Sequence, residues 1–168
     1  MVNLTHPAVD RVREALQLHG LDPEIRWFDD AATTAVAAAA ALGIPVGAIA
    51  NSLVFTFTAP GQEPQPLLVL TSGAHRVDQA WLGTRLGGLV GRASKELVKE
   101  ATGQVIGGVA PLGHPLPLRT VVDEALAEFP VVWAAAGHAH TVFPTSYREL
   151  LRITGGEPGA VSAPTPGV

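Results

Sequence analysis

The chain has 168 residues, enough for one domain with its own core, and 47% of them are hydrophobic, with alanine prominent among them. A net charge of −4 and only two lysines, Lys95 and Lys99, argue against a grip on a long run of nucleic-acid backbone but leave room for a short single-stranded end. There is no cysteine, which excludes disulfides, thiolate metal sites and a cysteine nucleophile.

Taken in chain order, Thr5 is the expected cap of a first helix, with Pro7 in its first turn and a stripe of Val9, Val12 and Leu16 running to Gly20. Ile25 to Phe28 reads as a short strand. Thr33 or Thr34 caps a second helix, Ala35 to Leu42, which Gly43 and Pro45 stop. Ser52 to Thr58 and Leu67 to Thr71 are rich in β-formers and predict a hairpin around the Pro/Gly turn Ala59 to Pro66. Helical spacing returns at Val77, Ala80, Trp81 and Thr84, and Ser94 caps a short helix ended by Gly103. A glycine-rich loop follows. Then come a strand near Leu118–Val122, a short helix at Asp123–Glu128, and strands at Val131–Ala136 and His140–Phe143. Ser146 and Glu149 make a capping box for a last helix, Tyr147 to Ile153, closed by Gly155.

Strands and helices mix irregularly and no linker divides them, so residues 1–156 are expected to form a single α+β domain with a mixed sheet. Residues 157–168, rich in Pro, Gly, Ser and Ala, read as a frayed C-terminal tail. No apolar run approaches the roughly 18–20 residues of a membrane span, and Met1–Asp10 lacks a basic segment leading into an apolar one. A cytoplasmic protein with no DNA or membrane partner is the expectation.

Familiar catalytic constellations are absent: there is no G-x-S-x-G elbow, no H-E-x-x-H helix and no phosphate-binding G-x-x-x-x-G-K-[ST] loop. His138 and His140 would face the same way on a strand. They could begin a metal site, but no carboxylate or third histidine lies nearby in sequence, and a polar pair at a strand entrance is the alternative. His75, Arg76 and Asp78 form a second polar cluster, either the start of a helix with Asp78 against its dipole or part of a site. Gly107-Gly108-Val109-Ala110-Pro111-Leu112-Gly113-His114 has two readings as well. It is a tight structural turn, or a loop whose close-approaching backbone N–H groups converge on an oxyanion.

The order of motifs adds to this. Ile49-Ala50-Asn51-Ser52-Leu53-Val54-Phe55 is followed by Val69-Leu70-Thr71-Ser72-Gly73-Ala74-His75-Arg76-Val77-Asp78. Then come Ala101-Thr102-Gly103, Ile106 to His114, Val132 to Gly137, and Glu149 to Gly156. From about residue 30 to residue 156 this strongly resembles the YbaK/ProX family, free-standing relatives of the editing domain inserted in bacterial prolyl-tRNA synthetases.

The resemblance implies a curved mixed sheet, partly barrel-like, surrounded by helices. It also implies an aminoacyl-tRNA deacylase that hydrolyses the ester joining a wrong amino acid to tRNA, without cofactor, metal or protein nucleophile. Its partner would be the acceptor end of a mischarged tRNA, most plausibly a tRNA for proline carrying a small residue, with a synthetase as a second partner. Carried over residue by residue, Gly107 and Gly108 lie at the reacting ester. His114 is a further candidate from its own chemistry, to orient water or hydrogen-bond the ribose, with an ordinary loop histidine as the alternative. Substrate contacts fall on Asn51, Ser52, Ser72, Gly73, His75, Arg76, Pro111, Gly113, Gly137 and His138.

One position departs from the pattern: many relatives carry lysine where this chain has Asn51, which keeps hydrogen-bonding capacity without the charge. That leaves open weaker tRNA affinity, a shifted substrate, compensation by Arg76 or Lys95, or a non-catalytic tRNA- or aminoacyl-binding module.

Overall fold

The computed structural model describes residues 6–163. Helix α1 spans Pro7–Leu18 and buries Ala8, Val9, Val12 and Leu16 along one stripe, each valine or leucine contributing about 1.5–3 kcal/mol by leaving water. Thr5 lies outside the described residues. The cap is His6, whose Nδ1 accepts the Ala8 N–H at 3.1 Å. Next come β1 (Arg26–Trp27) and α2 (Ala35–Leu42), where Thr34 accepts the Ala37 N–H and Gly43 ends the helix in the left-handed region.

A 3₁₀ turn at Val46–Ala48 leads into β2 (Ile49–Thr58), which pairs antiparallel with β3 (Gln65–Ser72) as the expected hairpin. Asp78 caps α3 (Gln79–Leu86), and Ser94 caps α4 (Lys95–Thr102). Between these helices lies a strand the sequence reading passes over, β4 (Leu89–Arg92). Four residues broken by Gly91 carry too short a pattern to register. The chain then forms β5 (Arg119–Asp123), a 3₁₀ helix at Glu124–Glu128, β6 (Val132–Ala135), β7 (Thr141–Thr145) and α5 (Tyr147–Thr154). Ser146 caps α5 through the Glu149 N–H, but the Glu149 side chain takes the Thr145 hydroxyl instead of closing the box.

The expected tail needs a correction over its described part. Glu157–Gly159 form β8, parallel to β5, and Val161 is buried and accepts the Asp78 N–H. Arg119 pairs with Glu157 at 2.8 Å, holding the Glu157 carboxyl below its usual range. Turn-type composition misled there, because backbone pairing to a free sheet edge requires no particular side chains. Residues 164–168 lie outside the described residues.

All eight strands of the described residues join one mixed sheet in the order β1-β7-β6-β2-β3-β5-β8, with β4 also on β2. Alternation along the central strands separates two faces. Ala50, Leu68, Leu70 and Val122 face a core shared with Val12, Leu16, Val98, Val109 and Leu150. Phe55, Phe57, Leu67, Val69 and Val121 face Leu82 on the other side. A third, smaller cluster packs Ala38 and Ala39 of α2 on Ile49 and Trp133. No helix among the described residues is long and apolar enough to cross a membrane.

Candidate functional site

The sheet is interrupted beside its central strand. The edge of β2 away from β3 pairs with β6 only at Ile49–Ala50 and with β4 only at Phe55–Thr58, so residues 51–54 face no strand on that side. Gly73 donates to the Ile49 carbonyl, so by antiparallel alternation the backbones of Asn51 and Leu53 turn to β3. Those of Ser52 and Val54 turn into the gap.

A cavity of about 260 Å³ occupies this gap. β2 forms its floor, Thr33 to Ala38 at the start of α2 one side, and Arg92, Ala93 and Val98 another. Ile106, Gly107 and Val109 of the glycine-rich loop face Trp133, Ala135, Thr141 and Val142 of β6 and β7 across it. No aspartate, glutamate or histidine lines it, and its one charged side chain is Arg92. Arg92 is exposed and enters none of the ion pairs formed among the described residues. Ser52 Oγ stands out: among the described residues it is the one buried side-chain N or O atom with no hydrogen-bond partner.

Three of the expected site residues therefore meet here: Asn51, Ser52 and Gly107. Gly108 is buried and turns the other way. A Cβ built on it would stand 2.7 Å from the His138 carbonyl carbon and 2.8 Å from Ala139 N, so the loop is pressed backbone-to-backbone against residues 138–139. Pro111, Gly113 and His114 line a different cleft, shared with Leu18, His19 and Ile153.

His114 donates through Nε2 to the Ala110 carbonyl at 2.8 Å, and burial lowers its pKa from the usual imidazole value. It braces the loop from behind. Gln104 braces it too, a residue the sequence reading passed over. Almost fully buried, its Oε1 accepts the Ala110 N–H at 2.7 Å.

Ser72 and His75 meet at the buried Asp123 carboxylate, away from the cavity, with Ser72 buried and His75 exposed. Asp123 Oδ2 accepts from Ser72 N–H at 3.0 Å and lies 3.1 Å from His75 Nδ1, while Ser72 Oγ donates to the Gly47 carbonyl at 2.8 Å. Gly73 packs against Val46, and Arg76 is exposed outside the cavity lining.

Gly137 adopts φ +104° in contact with the Ala8 carbonyl, behind the wall that Ala135 and Val142 present. His138 and His140 sit in a turn before β7, not on a strand. Thr141 ties that turn at both the N–H and carbonyl of His138. The third imidazole, absent nearby in sequence, is the cap of α1: the His6 ring lies tilted against His138 at 4.9 Å, with His140 at 5.2 Å and Trp27 at 5.6 Å from His138. Burial, then the charges of His6 and His140, lowers the His138 pKa. No group of three His, Asp or Glu side chains among the described residues is placed to hold a metal ion.

Residues 29–163, which span every wall of this cavity, match the aminoacyl-tRNA editing domain. The chain belongs to that family. This editing domain is 36% identical to a solved structure described as a candidate trans-editing enzyme for prolyl tRNA synthetase, over 95% of this chain and 99% of that one, with a TM-score of 0.86. A structure from computational design of epitope-presenting scaffold proteins is 32% identical, covering 96% and 100% of the two chains with a TM-score of 0.85. Hypothetical protein APE2540 is 27% identical over 91% of this chain and 99% of its own, with a TM-score of 0.80. Among curated proteins, the uncharacterized protein YwhH of Bacillus subtilis (strain 168) is 28% identical over 131 residues, 78% of the editing domain's chain and 81% of its own.

Proposed function

We propose that this editing domain acts in trans as a deacylase, hydrolysing the ester between a small wrong amino acid and the terminal ribose of a tRNA, with a tRNA for proline as the first substrate to test. The observation that carries the reading is the cavity itself. It is a small, mainly apolar recess bounded by the Ser52–Val54 edge of β2, which faces no strand on that side, and by the Gly107 turn.

In the proposed reaction the aminoacyl group enters the recess of about 260 Å³ while the nucleotide stays outside. No imidazole or carboxylate lines the cavity to activate a side-chain hydroxyl, so water is the nucleophile, positioned by backbone groups and by the free hydroxyl of the terminal ribose. Water adds to the ester carbon, and backbone N–H groups stabilise the oxyanion. The carbon–oxygen bond to the ribose then breaks and the ribose oxygen takes up a proton. Amino acid and uncharged tRNA result. Arg92, on the same cavity as Asn51, supplies a cation at the rim for the terminal phosphate, in place of the lysine of many relatives.

The test is a panel of alanyl-, cysteinyl-, seryl- and threonyl-tRNA incubated with the purified protein. Release of at least one amino acid supports the reading, and stability of all four overturns it. Asn51 favours a second reading, a binding module without turnover. Wild-type deacylation removes that reading, whereas activity that appears only in Asn51→Lys supports it.

A further inference from the structure

We infer that His138, with His6 and His140, forms a pH-sensitive latch: neutral imidazoles clip the start of α1 to the turn before β7, and protonation of His138 releases that turn. This holds whether or not the cavity hydrolyses an ester.

The hydrogen bonds fix which ring nitrogens carry protons. A backbone N–H can only donate. His138 Nδ1 takes the His140 N–H at 3.1 Å and His6 Nδ1 takes the Ala8 N–H at 3.1 Å, so both nitrogens are unprotonated. A carbonyl can only accept, so His140 Nδ1 carries the proton it gives to the Phe28 carbonyl at 2.9 Å. Asn, Asp or Ser ordinarily supplies the acceptor at a helix cap or two residues before a turn N–H, and none of them loses it just below neutral pH. Imidazole does. A proton on His138 Nδ1 removes the acceptor of the His140 N–H and puts a second donor in front of it. It also sets a positive ring 4.9 Å from the His6 ring and 5.2 Å from that of His140. A proton on His6 Nδ1 would uncap α1 and place a cation at the positive end of its dipole.

The other charged groups nearby do not hold the rings. Asp29 shares a cleft with His138 and His140 but is exposed and ion-paired to neither. Asp10 of α1 is taken by Arg13, and Arg26 of β1 lies over the Trp133 ring at 5.8 Å. The glycine-rich loop meets the turn at Gly108, which has no side chain. Burial, then the His6 and His140 imidazoles, lowers the His138 pKa from the usual 6.5. The latch is therefore shut at neutral pH and opens as pH falls through the lowered value.

The contacts of the turn carry the release to the cavity. The Ala139 carbonyl accepts the Ala32 N–H at 2.8 Å and the His140 carbonyl accepts the Phe28 N–H at 2.7 Å. The turn thus holds the segment that ends in the cavity-lining Ala32 and Thr33. It also backs Gly108 of the glycine-rich loop, and its own Thr141 lines the cavity. Thr141 keeps both bonds to His138 at any pH, so release starts at the His140 N–H and not by loss of the whole turn.

The experiment is an NMR titration of the isotope-labelled protein from about pH 8 to about pH 5, on wild type and His138→Asn. Asparagine keeps an acceptor for the N–H two residues on without titrating. In wild type the His138 ring should titrate below pH 6.5, with the amides of His140, Gly108 and Thr141 shifting at the same midpoint. Protection of the His140 amide against hydrogen exchange, relative to an unstructured chain at the same pH, should fall about fivefold, equivalent to about 1 kcal/mol. In His138→Asn the three amides should lose that transition. Gly108 and Thr141 amides that stay constant while His138 takes its proton overturn the inference. So does a His138 ring that remains neutral down to about pH 5, or a transition that persists unchanged in His138→Asn. The wild-type titration decides the matter even where the variant fails to fold.

Discussion

Replacing Gly108 by alanine tests whether the glycine-rich loop is built as the structure places it. The added methyl would lie 2.7 Å from the His138 carbonyl carbon and 2.8 Å from both His138 Cα and Ala139 N. That is roughly 0.8 Å inside the normal carbon–carbon contact of about 3.5 Å. The opposing atoms are backbone, in a turn where Thr141 holds both the N–H and the carbonyl of His138, so no rotamer change relieves the clash. Overpacking of this kind costs about 1–3 kcal/mol. At about 2–4 °C per kcal/mol for a chain of this size, Gly108→Ala should melt about 4–8 °C below wild type for a mid-range cost. Activity should fall alongside, because Gly107 and Val109 on either side line the cavity. Thermal denaturation followed by circular dichroism, paired with deacylation of the best substrate, separates the possibilities. A variant that melts within about 1 °C of wild type yet loses turnover would falsify the packing argument, and would return Gly108 to the substrate face.

Arg92→Ala, at an exposed side chain, should change stability by no more than about 0.5 kcal/mol. It should weaken binding of the tRNA acceptor end about 3–10-fold at low salt, with the difference shrinking as salt rises. Equal affinities at low ionic strength in a fluorescence-anisotropy titration would refute that role. Gln104→Met keeps the volume but strands the buried Ala110 N–H, so urea denaturation should register a loss of about 1–3 kcal/mol, and an unchanged midpoint would count against the brace. His114 supplies a pH signature. Burial lowers its folded pKa below the unfolded value of 6.5, so the unfolded chain binds more protons between those two values. Its contribution is fully present above pH 6.5 and is lost as pH falls from 6.5 through the folded pKa. Wild type should therefore lose more melting temperature on acidification across that window than His114→Gln does. Parallel curves for the two would exclude the effect.

Most of the local architecture was legible because its causes are local. Thr34, Ser94 and Ser146 each cap a helix by bonding an N–H three residues on, and Gly43, Gly103 and Gly155 end those helices in left-handed backbone. The β2–β3 hairpin follows from two runs of β-formers around a Pro/Gly turn. The elements missed or misjudged are those whose stability comes from a distant partner. β4 has four residues and exists through pairing with β2, β8 borrows the free edge of β5, and the His138 turn is completed by His6 from the other end of the chain.

The site divides along the same line. The ordered motifs, read in one dimension, reached the family and drew attention to Asn51, Ser52 and Gly107, which do share a cavity. Residues of those motifs were not equally placed. Ser72 and His75 are tied to Asp123, His114 and Gly113 open on another cleft, and Gly108 faces a backbone wall. A motif records that residues travel together along the chain, but not which way each side chain turns. Only the tertiary structure determined that β4 and β6 leave β2 uncovered over residues 51–54, that Arg92 arrives beside Asn51, and that Ser52 Oγ is buried without a partner. Each of these is set by pairings between segments roughly 40 to 80 residues apart, and no local pattern encodes such distances.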